Sequence, residues 1–102
     1  MATLITINGE IKDITPKNKK DGFTLEELYG HIGNGCDMVE VAFRFIDDND
    51  KNERMVLVDE EGLVRQPQQQ FNWKASSDFI AKYHQPIYLH GNVVICDNKE
   101  FQ

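Results

Sequence analysis

Phe23-Thr24-Leu25-Glu26-Glu27-Leu28-Tyr29-Gly30-His31-Ile32-Gly33-Asn34-Gly35 runs, through Cys36-Asp37-Met38, straight into Val39-Glu40-Val41-Ala42-Phe43-Arg44-Phe45. Thr24 with Glu27 three residues on forms a capping box, in which each side chain satisfies a backbone N–H of the other, so a helix is predicted to begin here. Leu25, Leu28, Tyr29 and Ile32 then recur at i, i+3, i+4 and i+7, which gives the helix one apolar face to bury. Gly33-Asn34-Gly35 ends it, because glycine enters the left-handed region without steric cost. From Val39 the pattern alternates, with Val39, Val41, Phe43 and Phe45 predicted on one face of a half-buried strand and Glu40, Ala42 and Arg44 on the other. A helix joined this closely to a strand packs on the sheet through its apolar face.

Outward toward the amino terminus, Thr3-Leu4-Ile5-Thr6-Ile7 and Glu10-Ile11-Lys12-Asp13-Ile14 flank Asn8-Gly9, the sequence signal of a hairpin with a two-residue turn. Residues 15–22, with Pro16 and three lysines, read as a polar loop. Toward the carboxyl terminus, Met55-Val56-Leu57-Val58 is apolar on both faces, as expected of a central strand covered on each side. Glu60-Glu61-Gly62 reads as a turn and Leu63-Val64 as a short return strand. Asn72 caps a second amphipathic helix to about Tyr83, with Trp73, Ala75, Ser76, Phe79, Ile80 and Tyr83 on its apolar arc. Ile87-Tyr88-Leu89, His90-Gly91-Asn92 and Val93-Val94-Ile95-Cys96 suggest a final hairpin, and residues 97–102 a polar tail.

The 102 residues bound the chain to one domain with one modest core. Eleven basic against seventeen acidic residues leave a net charge of −6, which disfavours direct nucleic-acid binding, since phosphate contacts need a basic patch. No apolar run approaches a membrane span, and the first residues lack the basic and apolar regions of a signal peptide, so a cytoplasmic protein is expected. In a reducing compartment Cys36 and Cys96 are expected to be free thiols.

Leu25-Glu26-Glu27-Leu28, Ile32-Gly33-Asn34-Gly35, Val39-Glu40-Val41 and Val58-Asp59-Glu60-Glu61-Gly62-Leu63, with Asn72 and Ala75, resemble a family of short uncharacterised proteins carried by phages, plasmids and conjugative elements. The resemblance covers roughly residues 4–95. It implies a mobile-element origin and no known activity.

Candidate chemistry is sparse. Asp48, Asp50 and Asn52 occupy the first three ligand positions of a calcium loop, but Glu53 stands where the sharp turn needs glycine and Asp59 where a bidentate glutamate belongs, so a hairpin turn is the simpler reading. His31 with Cys36 and His90 with Cys96 lack the knuckle spacing of zinc sites. Cys96 lies in an apolar strand that keeps a thiol inert, and Cys36 near His31 lacks an identifiable orienting group. Glu60 and Glu61 are sequence neighbours and point apart. No catalytic residue, metal site or cofactor is therefore assigned, and an enzyme is not expected. The strongest candidates for a ligand or partner site are Phe71, Trp73, Tyr83 and Tyr88, aromatic rings that can anchor a partner or stack a flat ligand, together with Arg65. For Trp73 core packing of the helix is the competing reading.

The expected architecture is a single α+β domain over residues 1–102, in the order β-β-α-β-β-(β)-α-β-β. Its sheet is mainly antiparallel and built of hairpins, and the two amphipathic helices most simply share one face. The helical connection between Ile14 and Val39 is the one place where a crossover can make a parallel pair. Two functions remain: a non-enzymatic interaction module of a mobile element with a protein partner, a homodimer included, or a small-molecule binder of nucleotide type. The second needs aromatics and cations such as Lys17, Lys19, Arg44 or Arg65 to converge on phosphate.

Overall fold

The computed structural model describes residues 2–18, 20–33, 35–62 and 70–97. The capping box forms as expected: Thr24 Oγ1 accepts from the Glu27 N–H at 3.1 Å while Glu27 Oε1 accepts from the Thr24 N–H at 3.1 Å. Helix α1 spans Leu25–Ile32, and Gly33 closes it at φ 68° with its N–H donating to Tyr29 O. Leu28 and Ile32 are fully buried, but Leu25, predicted on the same face, sits in the first turn at the rim and is exposed. Helix α2 spans Trp73–Tyr83 and is capped by Asn72.

Five strands form one sheet: β1 (Ala2–Ile5), β2 (Ile11–Ile14), β3 (Val39–Ile46), β4 (Glu53–Asp59) and β5 (Val93–Asp97), in the order β2-β1-β5-β4-β3. Every neighbouring pair is antiparallel. The α1 connection makes no parallel pair, because it carries the chain from β2 at one edge of the sheet to β3 at the other. At the first turn Thr6 N–H donates to Glu10 O, leaving Ile7, Asn8 and Gly9 as a three-residue loop instead of the predicted two-residue turn. Only Gly9 needs positive φ there, at 87°. The predicted strand at 87–89 is an irregular strap, and β5 reaches Asp97, the first residue expected in the tail. The expected return at Leu63-Val64 lies outside the described residues.

The helices do not share a face. One core gathers α1 side chains Leu28 and Ile32 over Leu4, Met55, Leu57, Val94 and Cys96; the other gathers α2 side chains Ala75 and Phe79 over Ile5, Val56, Val58 and Val93. The sheet is thus sandwiched, with α1 on one side and α2 on the other. The apolar residues on both faces of β4 and β5 require this, since a helix on one side only would leave half of them in water.

Strand β3 serves both cores, which strict alternation forbids. Val41 pairs with Leu57 and Phe43 with Val56, so Ala42 is an extra residue, a β-bulge. Val39 and Val41 therefore face α1 while Phe43 and Phe45 face α2, correcting the predicted single face. A one-residue slip turns every following side chain over, and the bulge supplies that slip inside one strand. Deleting Ala42 is expected to preserve the fold, with a stability change of about 1 kcal/mol or less, because Val41 and Phe43 would become neighbours on a regular strand with their faces unchanged. It should also straighten the edge and raise self-association in sedimentation velocity. A deletion variant that unfolds would show that the bulge itself carries stability.

Glu27 also ties the loop before α1. Its Oε2 accepts from the Lys17 N–H at 3.0 Å, and this bond, followed by the Thr24 bond, holds its carboxyl below the ordinary glutamate range. A depressed folded-state pKa contributes stability that is complete above the unfolded value and is lost as pH falls through the folded one. Glu27→Gln should therefore flatten the acid limb of stability: urea midpoints of the two proteins separate at neutral pH and converge in acid below both values. Parallel curves would sink this assignment.

Candidate functional site

The site is built by a strap that the chain lays over the α2 side of the sheet between α2 and β5. Ser76, in the middle of α2, holds it: its Oγ accepts from the Leu89 N–H at 2.8 Å and lies 3.5 Å from Leu89 O. Asn72, fully buried, holds the other end. Its Oδ1 caps α2 by accepting from the Ala75 N–H at 3.1 Å, and its Nδ2 donates to Ile5 O and Gly91 O, each at 2.9 Å. Its own N–H donates to Leu89 O at 2.8 Å. Every hydrogen-bonding group of this buried side chain is satisfied, so the strap is positioned by helix and sheet together.

Between the strap and β3 lies a groove of about 740 Å3, lined on one wall by Phe43, Phe45 and Tyr83 and on the other by Pro86, Ile87 and Tyr88. Phe79 supports its floor: the Phe43 ring meets it edge-on at 4.8 Å, the Phe45 ring lies at 5.4 Å and the Tyr83 ring stacks on it at 6.2 Å. The Tyr83 hydroxyl is buried and has no hydrogen-bond partner among the described residues. At one end Lys82 pairs with Asp48 at 3.1 Å, which favours its charged form, and lies 5.5 Å from the Phe45 ring centre. Arg44, also in the lining, pairs with Glu53 at 3.4 Å.

Past Ala42 and Tyr88 the groove opens into an acidic hollow of about 350 Å3, lined by Glu40, Asp59, Glu60 and Glu61 along with Val58, Gly62, Leu89 and His90. None of these lining residues is a lysine or arginine. Tyr88 belongs to both depressions and is 66 % exposed.

Of the residues singled out in the sequence, Tyr83 and Tyr88 meet in the groove. Phe71 lies beside them, its ring 6.2 Å from Tyr88 and 5.7 Å from His90, and its backbone pairs with His90 in a single bridge. Trp73 does not join them. As the first residue of α2 it is 64 % exposed and lines neither depression, so the buried arc predicted for it is cut short at the helix end. Arg65 and Lys19 lie outside the described residues. Lys17 belongs to a separate hollow at the start of α1, with Asn18, Thr24, Glu26 and Glu27, and so does not converge with Arg44. Phe43, Phe45, Glu40 and Glu60 were not recognised as site residues from sequence. Alternation marked the two phenylalanines as core, and which strand forms an edge is not written in local pattern.

The calcium-like turn is a hairpin loop held by a cation of the chain itself. Arg54 reaches Asp47, Asp50 and Asp97. Asp47 Oδ1 accepts from the Asn49 N–H at 2.8 Å, the main reason its carboxyl is held below the usual range, and Asp50 Oδ1 accepts from the Asn52 N–H at 2.9 Å. Cys36 and Cys96 are both buried in the α1-side core, while His31 packs edge-on against Phe23 at 6.1 Å. Among the described residues no three histidines, cysteines or carboxylates come together to hold a metal ion. No helix of the described residues is long and apolar enough to cross a membrane.

Fold and site together define an α+β domain with a five-stranded antiparallel sheet, a helix on each face and a groove at the β3 edge. No protein family matches the chain, and neither a curated protein nor a solved structure matches it significantly.

Proposed function

We propose that this protein is a non-enzymatic, cytosolic protein-interaction module of a mobile genetic element, and that it meets its partner along β3 and the groove beside it. The mobile-element part rests on the motif resemblance alone. One observation carries the interaction reading: an eight-residue strand at the edge of the sheet borders a groove walled by aromatic and aliphatic side chains. An open edge offers backbone N–H and C=O groups to an incoming chain, and large exposed rings such as Tyr88 give contact area at low entropic cost.

The test uses a photoreactive benzophenone amino acid in place of Tyr88 and, in a comparator, of Trp73, which is equally exposed but outside the groove. Irradiation in host lysate is expected to give a discrete protein adduct from position 88 only. Equal adducts from both positions, or none from position 88, would overturn the reading.

The alternative is a small-molecule protein that binds or sequesters a nucleotide-type ligand. One feature favours it: the groove's volume falls within the roughly 300–1,000 Å3 of small-molecule sites. Against it, the cations in and beside the groove already have carboxylate partners, Arg44 with Glu53 and Lys82 with Asp48. Shifts of groove resonances in NMR titrations with purine nucleotides would favour this alternative.

A further inference from the structure

We infer that the segment received by the β3 groove is an extended peptide with two apolar residues spaced i, i+2 followed by a lysine or arginine; this rests on the interaction-module reading above. Backbone geometry sets the apolar part. The Ala42 bulge interrupts the outer edge of β3, which leaves residues 43–46, about 13 Å, as the regular stretch on which a strand can add. Phe43 and Phe45 face the groove from that stretch. A strand added beside them sends alternate side chains to the same face, so its residues i and i+2 enter the groove and residue i+1 lies next to Arg44, whose neighbour on β4 is Met55 of the α1-side core.

Charge sets the rest. The hollow beyond Ala42 holds Glu40 and Glu60, neither of which meets a cation within 4 Å among the described residues, and its described lining contains no lysine or arginine. Glu40 precedes Phe43 on β3. A peptide running antiparallel to β3, the slightly more stable arrangement, therefore passes its apolar pair first and reaches the acidic hollow about three residues later. The aromatic ring of Tyr88, at the junction of groove and hollow, can cover the stem of that basic side chain.

A second copy of the chain fits less well. In the register that sets Phe43 against Phe45 of the copy, Arg44 stands opposite its own counterpart, and each chain carries −6. A phosphate-bearing ligand would meet the acidic hollow with like charge.

The experiment compares two fluorescent synthetic nonapeptides, Ser-Phe-Thr-Leu-Thr-Gly-Lys-Lys-Ser and the same sequence with both lysines replaced by glutamate, by anisotropy against the full chain. The lysine peptide is expected to bind at least about ten-fold more tightly, with binding that weakens as salt rises. In the double variant E40K/E60K, both sites exposed and away from the cores, the preference should reverse, with the thermal melt unchanged. Equal binding of the two peptides, or a preference that persists in E40K/E60K, overturns the inference. So does a dimer in light scattering that the lysine peptide fails to displace. If neither peptide binds while position 88 still crosslinks a protein, the inference falls and the interaction reading stands; if both experiments fail, both fall.

Discussion

Asn72→Ala is expected to destabilise the protein by about 3 kcal/mol, a large share of the roughly 5–15 kcal/mol that holds a domain of this size together. Three losses add up. The α2 cap is removed, which costs about 1 kcal/mol, and the carbonyls of Ile5 and Gly91 lose their donor inside a buried site, at about 1 kcal/mol or more each. Because Asn72 joins β1, α2 and the strap, the strap should loosen as well, and hydrogen exchange at the Leu89 and Gly91 amides should rise beyond the global change. Two further substitutions separate the roles. Asn72→Ser retains the capping oxygen and should recover about 1 kcal/mol, while Asn72→Asp retains the acceptor but sets a carboxylate against two carbonyl oxygens and should be at least as damaging as alanine. Urea unfolding measures all three. A loss under about 1 kcal/mol for Asn72→Ala would mean that the two carbonyls find other donors.

Phe79→Ala should cost more still, about 3–5 kcal/mol, the range for removing a buried phenylalanine ring from a packed core. Phe79 is 6 % exposed and its ring meets those of Phe43, Phe45 and Tyr83, so its removal takes away the groove's support as well as buried area. Phe79→Leu refills much of the space and should recover more than half of the loss. The same pair of variants separates stability from binding. At temperatures where Phe79→Leu remains folded, peptide binding should weaken, because Phe43 and Phe45 lose the edge-on contacts that orient them. Unchanged binding in that variant would place the contact surface elsewhere.

Much of the fold was legible along the chain. Thr24 with Glu27, Gly33 and Asn72 mark helix ends through bonds that span at most four residues, so α1 and α2 could be placed nearly to the residue. The apolar character of both faces of β4 also implied a sheet covered on both sides. Helices on a single face contradicted that signal, and the paired cores resolve it in favour of β4. The candidate site was legible only in part. Tyr83 and Tyr88 were visible as aromatic residues near a helix end and a proline, yet their partners Phe43 and Phe45 come from some forty residues earlier in the chain. Alternation said that these two rings are buried, not that they stand at an edge.

The sequence by itself determined the local elements, the single α+β domain and the acidic balance, because capping, periodicity and charge act between near neighbours or sum over the whole chain. Tertiary structure alone decided the strand order, the Ala42 bulge, the opposed helices and the meeting of β3 with the strap. Those depend on which distant apolar surfaces find one another: Leu28 and Ile32 bury on one side of β4 while Phe79 buries on the other, and β3 must turn over midway to fill both cores. A period-two pattern reads the same whether or not an extra residue slips one half of the strand, and only the partner strand counts the difference.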